Sequence, residues 1–156
     1  MRIPKRQSLN SNSTQLLART VRGIEWIGAA EIEGRIEAKI TGLQHREIRF
    51  QVQKLETELL ELGSVDDLFL IGSNLQNIDH TRASLSVLSA QASAIDFQTN
   101  LALLRQIRSV PQTPTFTVVA SFLGRRNYNR FEIEASVADA IRARTDWHYF
   151  SQEVEQ

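Results

Sequence analysis

Residues 115–144, TFTVVASFLGRRNYNRFEIEASVADAIRAR, constrain the fold of this chain more than any other stretch. Phe116, Val118, Ala120 and Phe122 alternate with Thr115, Thr117, Val119 and Ser121, the two-residue period of a strand with one buried face. Further on, Ile133, Val137, Ala140 and Ile141 recur at the spacing that makes one apolar stripe on a helix. Between them runs Gly124-Arg125-Arg126-Asn127-Tyr128-Asn129-Arg130, with three arginines, two asparagines and no acid. A cationic loop that feeds a helix N-terminus favours anions through its guanidinium groups and through the unpaired N–H groups of the first turn. This loop is the candidate site of function.

The chain has 156 residues, of which 42% are hydrophobic, enough for one ordinary domain or two small ones. Its 18 basic and 18 acidic side chains cancel, so any contact with nucleic acid must come from a local patch rather than from a general basic excess. Cysteine is absent, which excludes disulfides, a thiolate nucleophile and a cysteine-bound metal. The start, MRIPKRQSLNSNST, has no apolar segment behind its charges and does not read as a secretory signal. No apolar run approaches the roughly 18 residues of a membrane span. The expectation is a cytoplasmic protein without a membrane contact.

Periodicity places a polar, flexible N-terminus over 1–14. A strand is expected over 15–20, a break at Gly23, a helix over 24–36 and a strand over 37–41. A turn follows at Gly42-Leu43-Gln44, then a strand over 46–52 with Ile48, Phe50 and Val52 on one face. A helix over 53–62 ends at Gly63 as its C′ residue, and a strand over 65–71 closes at Gly72-Ser73-Asn74. This order is the ferredoxin-like βαββαβ pattern, over 15–72. A second unit is expected over 79–156. Asp79 is a candidate N-cap for a helix over 82–93, and a second helix covers 97–108. Pro111 and Pro114 stiffen the connection to the strand–loop–helix segment, and a short strand covers 147–150. Two strands leave this unit with bare sheet edges, so it is expected to be incomplete at its C-terminus. The fold class is thus α+β, a ferredoxin-like domain followed by a shortened α/β domain.

Three segments resemble one family. LLARTVRGIEWIGAAEIEGRI is similar to the opening strand, glycine and helix of THUMP-containing RNA-modification enzymes, and ITGLQHREIRFQV to the hairpin that follows it there. TPTFTVVASFLGRRNYNRFEIEASVADAIRAR resembles the strand, basic loop and helix of the THUMP domain. In the THUMP methyltransferases that make N2-methylguanosine in tRNA or rRNA, a ferredoxin-like domain and the THUMP domain hold RNA, and a separate Rossmann-like domain carries the chemistry. The resemblance implies a THUMP-type second domain and structured RNA, tRNA or rRNA, as the partner. The resemblance also implies a separate methyltransferase domain or subunit as a further partner. It does not imply activity. The chain shows no glycine-rich turn for an adenosyl cofactor and no Asn-Pro-Pro-Tyr or Asp-Pro-Pro motif; its prolines are Pro4, Pro111 and Pro114. No catalytic residue, cofactor or metal is assigned.

The RNA-binding candidates are Arg125, Arg126, Asn127, Tyr128, Asn129 and Arg130. The arginines reach phosphates or form a solvated loop. Asn127 and Asn129 bond ribose or phosphate, or serve a turn and an N-cap. Tyr128 stacks on a base or covers the apolar edge of the helix. His45, His80 and His148 lack metal-ligand spacing. Glu25, Glu31 and Glu33 read as the solvated face of a helix, Asp66-Asp67 as a strand opening, and Trp26 and Trp147 as core or interface residues. The alternatives to an RNA-binding module are an RNA-independent interaction module and one subunit of a split methyltransferase.

Overall fold

The computed structural model describes residues 13–150; most of the loose stretch expected over 1–14 lies outside these residues. The chain is α+β and divides into two compact units. Among the described residues, unit 1 comprises 13–71 together with 100–109, and unit 2 comprises 72–99 and 110–150. The expectation assigned 100–109 to the second unit. They instead belong to the first because Leu103 and Ile107 present apolar side chains to its core.

Unit 1 is built on β1 (Thr14–Arg19), β2 (Ala38–Gln44), β3 (Glu47–Val52) and β4 (Asp67–Leu70), in the order β2-β3-β1-β4 with every neighbouring pair antiparallel. Register sets Leu16 opposite Phe50 and Ala18 opposite Ile48, so one sheet face carries a continuous apolar surface. Ile48, Phe50 and Val52 are buried, on the face their alternation marks. Helix α1 (Glu25–Arg35) covers this face with Gly28, Ala29 and Ile32. Trp26 is 66% exposed, so of the core or interface roles expected of it the core role fails. Gly28 is where α1 approaches the sheet: a Cβ there would lie 2.6 Å from Ile48 Cδ1 and 3.1 Å from Thr20 Cγ2.

Two local expectations fail. The helix over 53–62 is only a 3₁₀ turn, Thr57–Glu61. Leu55, Leu59 and Leu62 are all buried, and one short turn with its flanking residues is enough to bury them. Gly63 does not adopt the left-handed conformation of a C′ residue. Its N–H, and that of Ser64, donate to the Glu31 carboxylate at 2.9 Å each, and Ser64 Oγ donates to it too. The other miss is the hairpin turn. Gly42 lies inside β2 at a register shift, and the turn falls at His45-Arg46, with Arg46 at φ 62°. Glu25 explains the place: its carboxylate accepts the Arg46 N–H at 2.8 Å and the Gly23 N–H at 2.9 Å. Thr20 N–H donates to the Arg46 carbonyl at 3.1 Å. Two glutamates of the supposed solvated face therefore clasp loops onto α1.

In unit 2, α2 (Ala83–Ala94) and α4 (Arg130–Arg142) pack together, Ser136 Oγ donating to the Leu85 carbonyl. Helix α3 (Phe97–Leu104) begins in this unit, where Asp96 Oδ1 accepts the Thr99 N–H at 3.0 Å as a side-chain cap. It is shorter than the expected 97–108, whose later residues form turns. Strands β5 (Thr115–Phe116) and β6 (His148–Tyr149) pair in parallel. Trp147 makes edge contacts with Phe97 and Phe116, so this tryptophan does serve the unit's interior. The long strand expected over 115–122 forms a ladder at only two residues.

Three outcomes test this description. Gly28→Ala lowers the melting temperature, because its methyl collides with buried Ile48. Gly34→Ala, in the same helix with nothing within 4 Å of its Cβ position, raises stability by about 0.5–1 kcal/mol. The hydrogen bond from Ser64 and the N–H groups of Gly63 and Ser64 hold the Glu31 carboxyl down at about 2, against 4.5 ordinarily. A depressed carboxyl stabilises the fold fully above its unfolded value and loses that contribution as pH falls toward its folded value. Glu31→Gln is expected to cost about 1–3 kcal/mol at neutral pH and to flatten the stability loss between pH 4.5 and 2 in denaturant titrations.

Candidate nucleic-acid interface

The loop 124–129 starts at Gly124, whose φ of 81° suits a residue without a Cβ. It ends at Asn129, the N-cap of α4. Asn129 Oδ1 accepts the Glu132 N–H at 3.0 Å, and Glu132 accepts the Asn129 N–H at 2.9 Å, a reciprocal capping box. That bond from the Asn129 N–H, followed by Arg82, lowers the Glu132 pKa. The capping role weighed for Asn129 is therefore occupied.

The rest of the loop is fastened to residues 79–82. Asn127 N–H donates to the His80 carbonyl at 2.8 Å, and Arg82 Nη1 donates to the Asn127 carbonyl at 3.3 Å. Arg82 also forms an ion pair with Glu132. Tyr128 is buried and its hydroxyl donates to the Asp79 carbonyl at 3.0 Å. In this conformation its ring covers the helix edge and offers no face to a base. Arg126 donates through Nη1 to that same carbonyl and to Tyr128 Oη, each at 3.0 Å. Its guanidinium carbon lies 5.4 Å from the Phe122 ring centre and 5.7 Å from that of Tyr128. This arginine is spent on the loop itself.

Asp79 is the anchor of the arrangement and not the N-cap expected of it. Its Oδ1 accepts from Ser84 Oγ at 2.6 Å, from Thr81 Oγ1 at 2.7 Å and from Thr81 N–H at 2.8 Å. These bonds, Ser84 foremost, lower its pKa. The N-cap position of α2 is Arg82, without a side-chain cap. The clustering of Asp79, Thr81 and Ser84 was a visible signal in the sequence; that its carbonyl would receive Tyr128 and Arg126 was not.

Two cations of the six candidate residues stay available. Arg125 is exposed and makes no hydrogen bond or ion pair among the described residues. Arg130 is exposed, its guanidinium 4.6 Å from the Phe131 ring centre. It occupies the first position of α4, where the helix dipole opposes a cation by about 0.3–1 kcal/mol. A cation held there against the dipole strengthens the pull on an incoming anion. The histidines do not converge, and no group of three or more His, Cys, Asp or Glu among the described residues is placed to hold a metal ion. No described helix is long and apolar enough to cross a membrane.

Several solved structures share this fold. TrmN from Thermus thermophilus matches 90% of this chain at a TM-score of 0.67 and 19% identity, over 39% of its own length. A predicted N6-adenine-specific DNA methylase from Listeria monocytogenes matches 85% at 0.63 and 17% identity, over 31% of its length. A possible methylase from Clostridium difficile 630 matches 83% at 0.55 and 14% identity, again over 31%. The chain thus spans between about a third and two fifths of these solved proteins. No family model matches the chain, and no curated protein matches it in sequence.

The division of the arginines gives a direct prediction. Arg126→Ala removes two hydrogen bonds and a stack, and is expected to lower stability by about 1–2 kcal/mol. Arg125→Ala is expected to stay within about 0.5 kcal/mol of the parent. Thermal melting of the two variants side by side checks this, and equal melting temperatures would contradict the anchoring role of Arg126.

Proposed function

We propose that this chain is a non-catalytic RNA-binding module of an RNA methyltransferase system. It reads as a ferredoxin-like unit followed by a THUMP-type unit, acting in the cytoplasm. The observation that carries the reading is the fold it shares with solved methylases over most of its own length and a minor part of theirs. The antiparallel sheet with α1 between β1 and β2 supports the ferredoxin-like assignment. The resemblance of the loop and α4 to a THUMP domain supports the second.

In this reading the ligand is a structured RNA such as tRNA, held by its backbone and shape. Arg125 and Arg130 contact phosphates, with those first-turn N–H groups of α4 that the capping box leaves open beside them. Asn127 offers its side-chain amide from a backbone already fixed on both sides. Arg126, Tyr128 and Asn129 position these groups and do not touch RNA themselves. The module's contribution is placement: holding RNA near a separate methyltransferase domain or subunit raises the effective concentration of its target nucleotide.

The test is an RNA titration of the full chain at two salt concentrations. Two neutralised phosphates predict a log–log slope of about −1.4 for single-stranded RNA, steeper for a duplex-like region. The double variant Arg125→Ala, Arg130→Ala should bind bulk tRNA more weakly while melting like the parent. Unchanged binding by that variant, or a flat response to salt, sinks this assignment and leaves the RNA-independent interaction module as the better reading.

A further inference from the structure

The segment 117–123 has the form of a strand without a partner. Burial alternates as on a sheet from Thr115 to Ala120, with Phe116, Val118 and Ala120 half-buried and Thr115, Thr117 and Val119 exposed, and all of 121–123 is exposed. It runs on directly from β5, whose Phe116 carbonyl accepts the Phe150 N–H at 2.8 Å on the β6 side. Peptide groups of successive residues in a strand point to opposite edges. The groups of residues 118, 120 and 122 therefore face the β6 side, where Ala120 N–H donates to Glu134 Oε1 at 3.0 Å. Those of Thr117, Val119, Ser121 and Leu123 face the other edge. Among the described residues they make no hydrogen bond.

This edge is undefended. Residues 117–123, TVVASFL, carry no lysine, no proline and no inward charge, the usual means of blocking edge-to-edge pairing. Val119 is 74% exposed and Leu123 93%. Beside the segment lies a groove of about 450 Å³ between Val118, Ala120 and Phe122 on one wall and Leu88, Ile133 and Val137 on the other. A small apolar ligand would fill it but leave the peptide groups of the edge unpaired, a costly arrangement once water is removed. A strand satisfies both, with hydrogen bonds along the edge and alternate side chains in the groove. At the Leu123 end the edge runs into Arg125, an exposed cation without a described partner.

We propose that 117–123 is an acceptor edge for a β-strand from a separate polypeptide, apolar at alternate positions and acidic where it passes Arg125. The proposal does not depend on RNA binding and is tested without RNA.

Residue-resolved amide exchange of the full chain, by NMR at low micromolar concentration, is the experiment. The probe is a capped peptide of alternating valine and threonine ending in two glutamates. In the dilute chain alone, the amides of Thr117, Val119, Ser121 and Leu123 exchange freely. With millimolar peptide they slow by about ten-fold or more, while those of Val118 and Phe122 do not follow. A proline peptide, a run of consecutive prolines that offers no N–H donor on either edge, gives no slowing, and exchanging the two glutamates of the parent probe for lysines weakens the effect. Val119→Pro abolishes it; should that variant melt early, the proline peptide on the unaltered chain decides. The proposal is overturned if the probe slows no amide, or if it slows even- and odd-numbered residues alike. It is also overturned if the proline peptide works equally well, or if the four amides are already protected in the dilute chain.

Discussion

A strand persists because its peptide groups find partners, and the two units of this chain meet that requirement to different degrees. In unit 1, β1 is hydrogen-bonded on both sides, to β3 and β4, and β3 to β1 and β2. The pairing aligns Leu16, Ala18, Ile48 and Phe50 into one surface, which α1 and the leucines of the 3₁₀ turn can bury. In unit 2 the ladder covers two residues. Its helices are instead joined to the extended segment by side chains, with the carbonyl and carboxylate of Asp79 taking five hydroxyl, guanidinium and N–H donors from four neighbours: Arg126, Tyr128, Thr81 and Ser84. The candidate site sits where polar clamps replace sheet pairing.

That substitution decides what the cationic loop can offer. Arginine presents five donors in a rigid fork and stacks on aromatic faces, so one placed beside a buried tyrosine and a free carbonyl is drawn inward. Arg126 meets both and becomes part of the fold. Arg125 follows a left-handed glycine and stands clear, and Arg130 is carried outward by the first turn of α4. A loop of three arginines thus presents two to solvent, on a chain of zero net charge.

Glutamates make a parallel case in unit 1. Glu25, Glu31 and Glu33 have the spacing of a solvated helix face, and Glu33 is exposed as such. Glu25 and Glu31 each receive N–H groups from segments 21 and 32 or more residues away in sequence. Helical periodicity says which residues share a face; it carries no information about which loop will pass over that face.

The sequence by itself determined everything that depends on neighbours along the chain. Alternation marked β1, β3 and the extended course of 115–122, the apolar stripe marked α1 and α4, and Asn129 with Glu132 three residues on carried the capping box. The steric and hydrogen-bonding rules behind these features act over one to four residues, so a local reading reaches them. The tertiary structure alone decided the rest. It turned 53–62 into a 3₁₀ turn, moved the hairpin turn to Arg46, exposed Trp26, joined 100–109 to the first unit and divided the arginines between fold and surface. Each of these outcomes depends on a partner distant in sequence: Glu25 for Arg46, the core of unit 1 for Leu103 and Ile107, the Asp79 carbonyl for Arg126 and Tyr128. A ladder, too, is a property of two segments. The alternation of 115–122 could state that a strand was wanted there, but only the presence of a second set of peptide groups at its edge could make one.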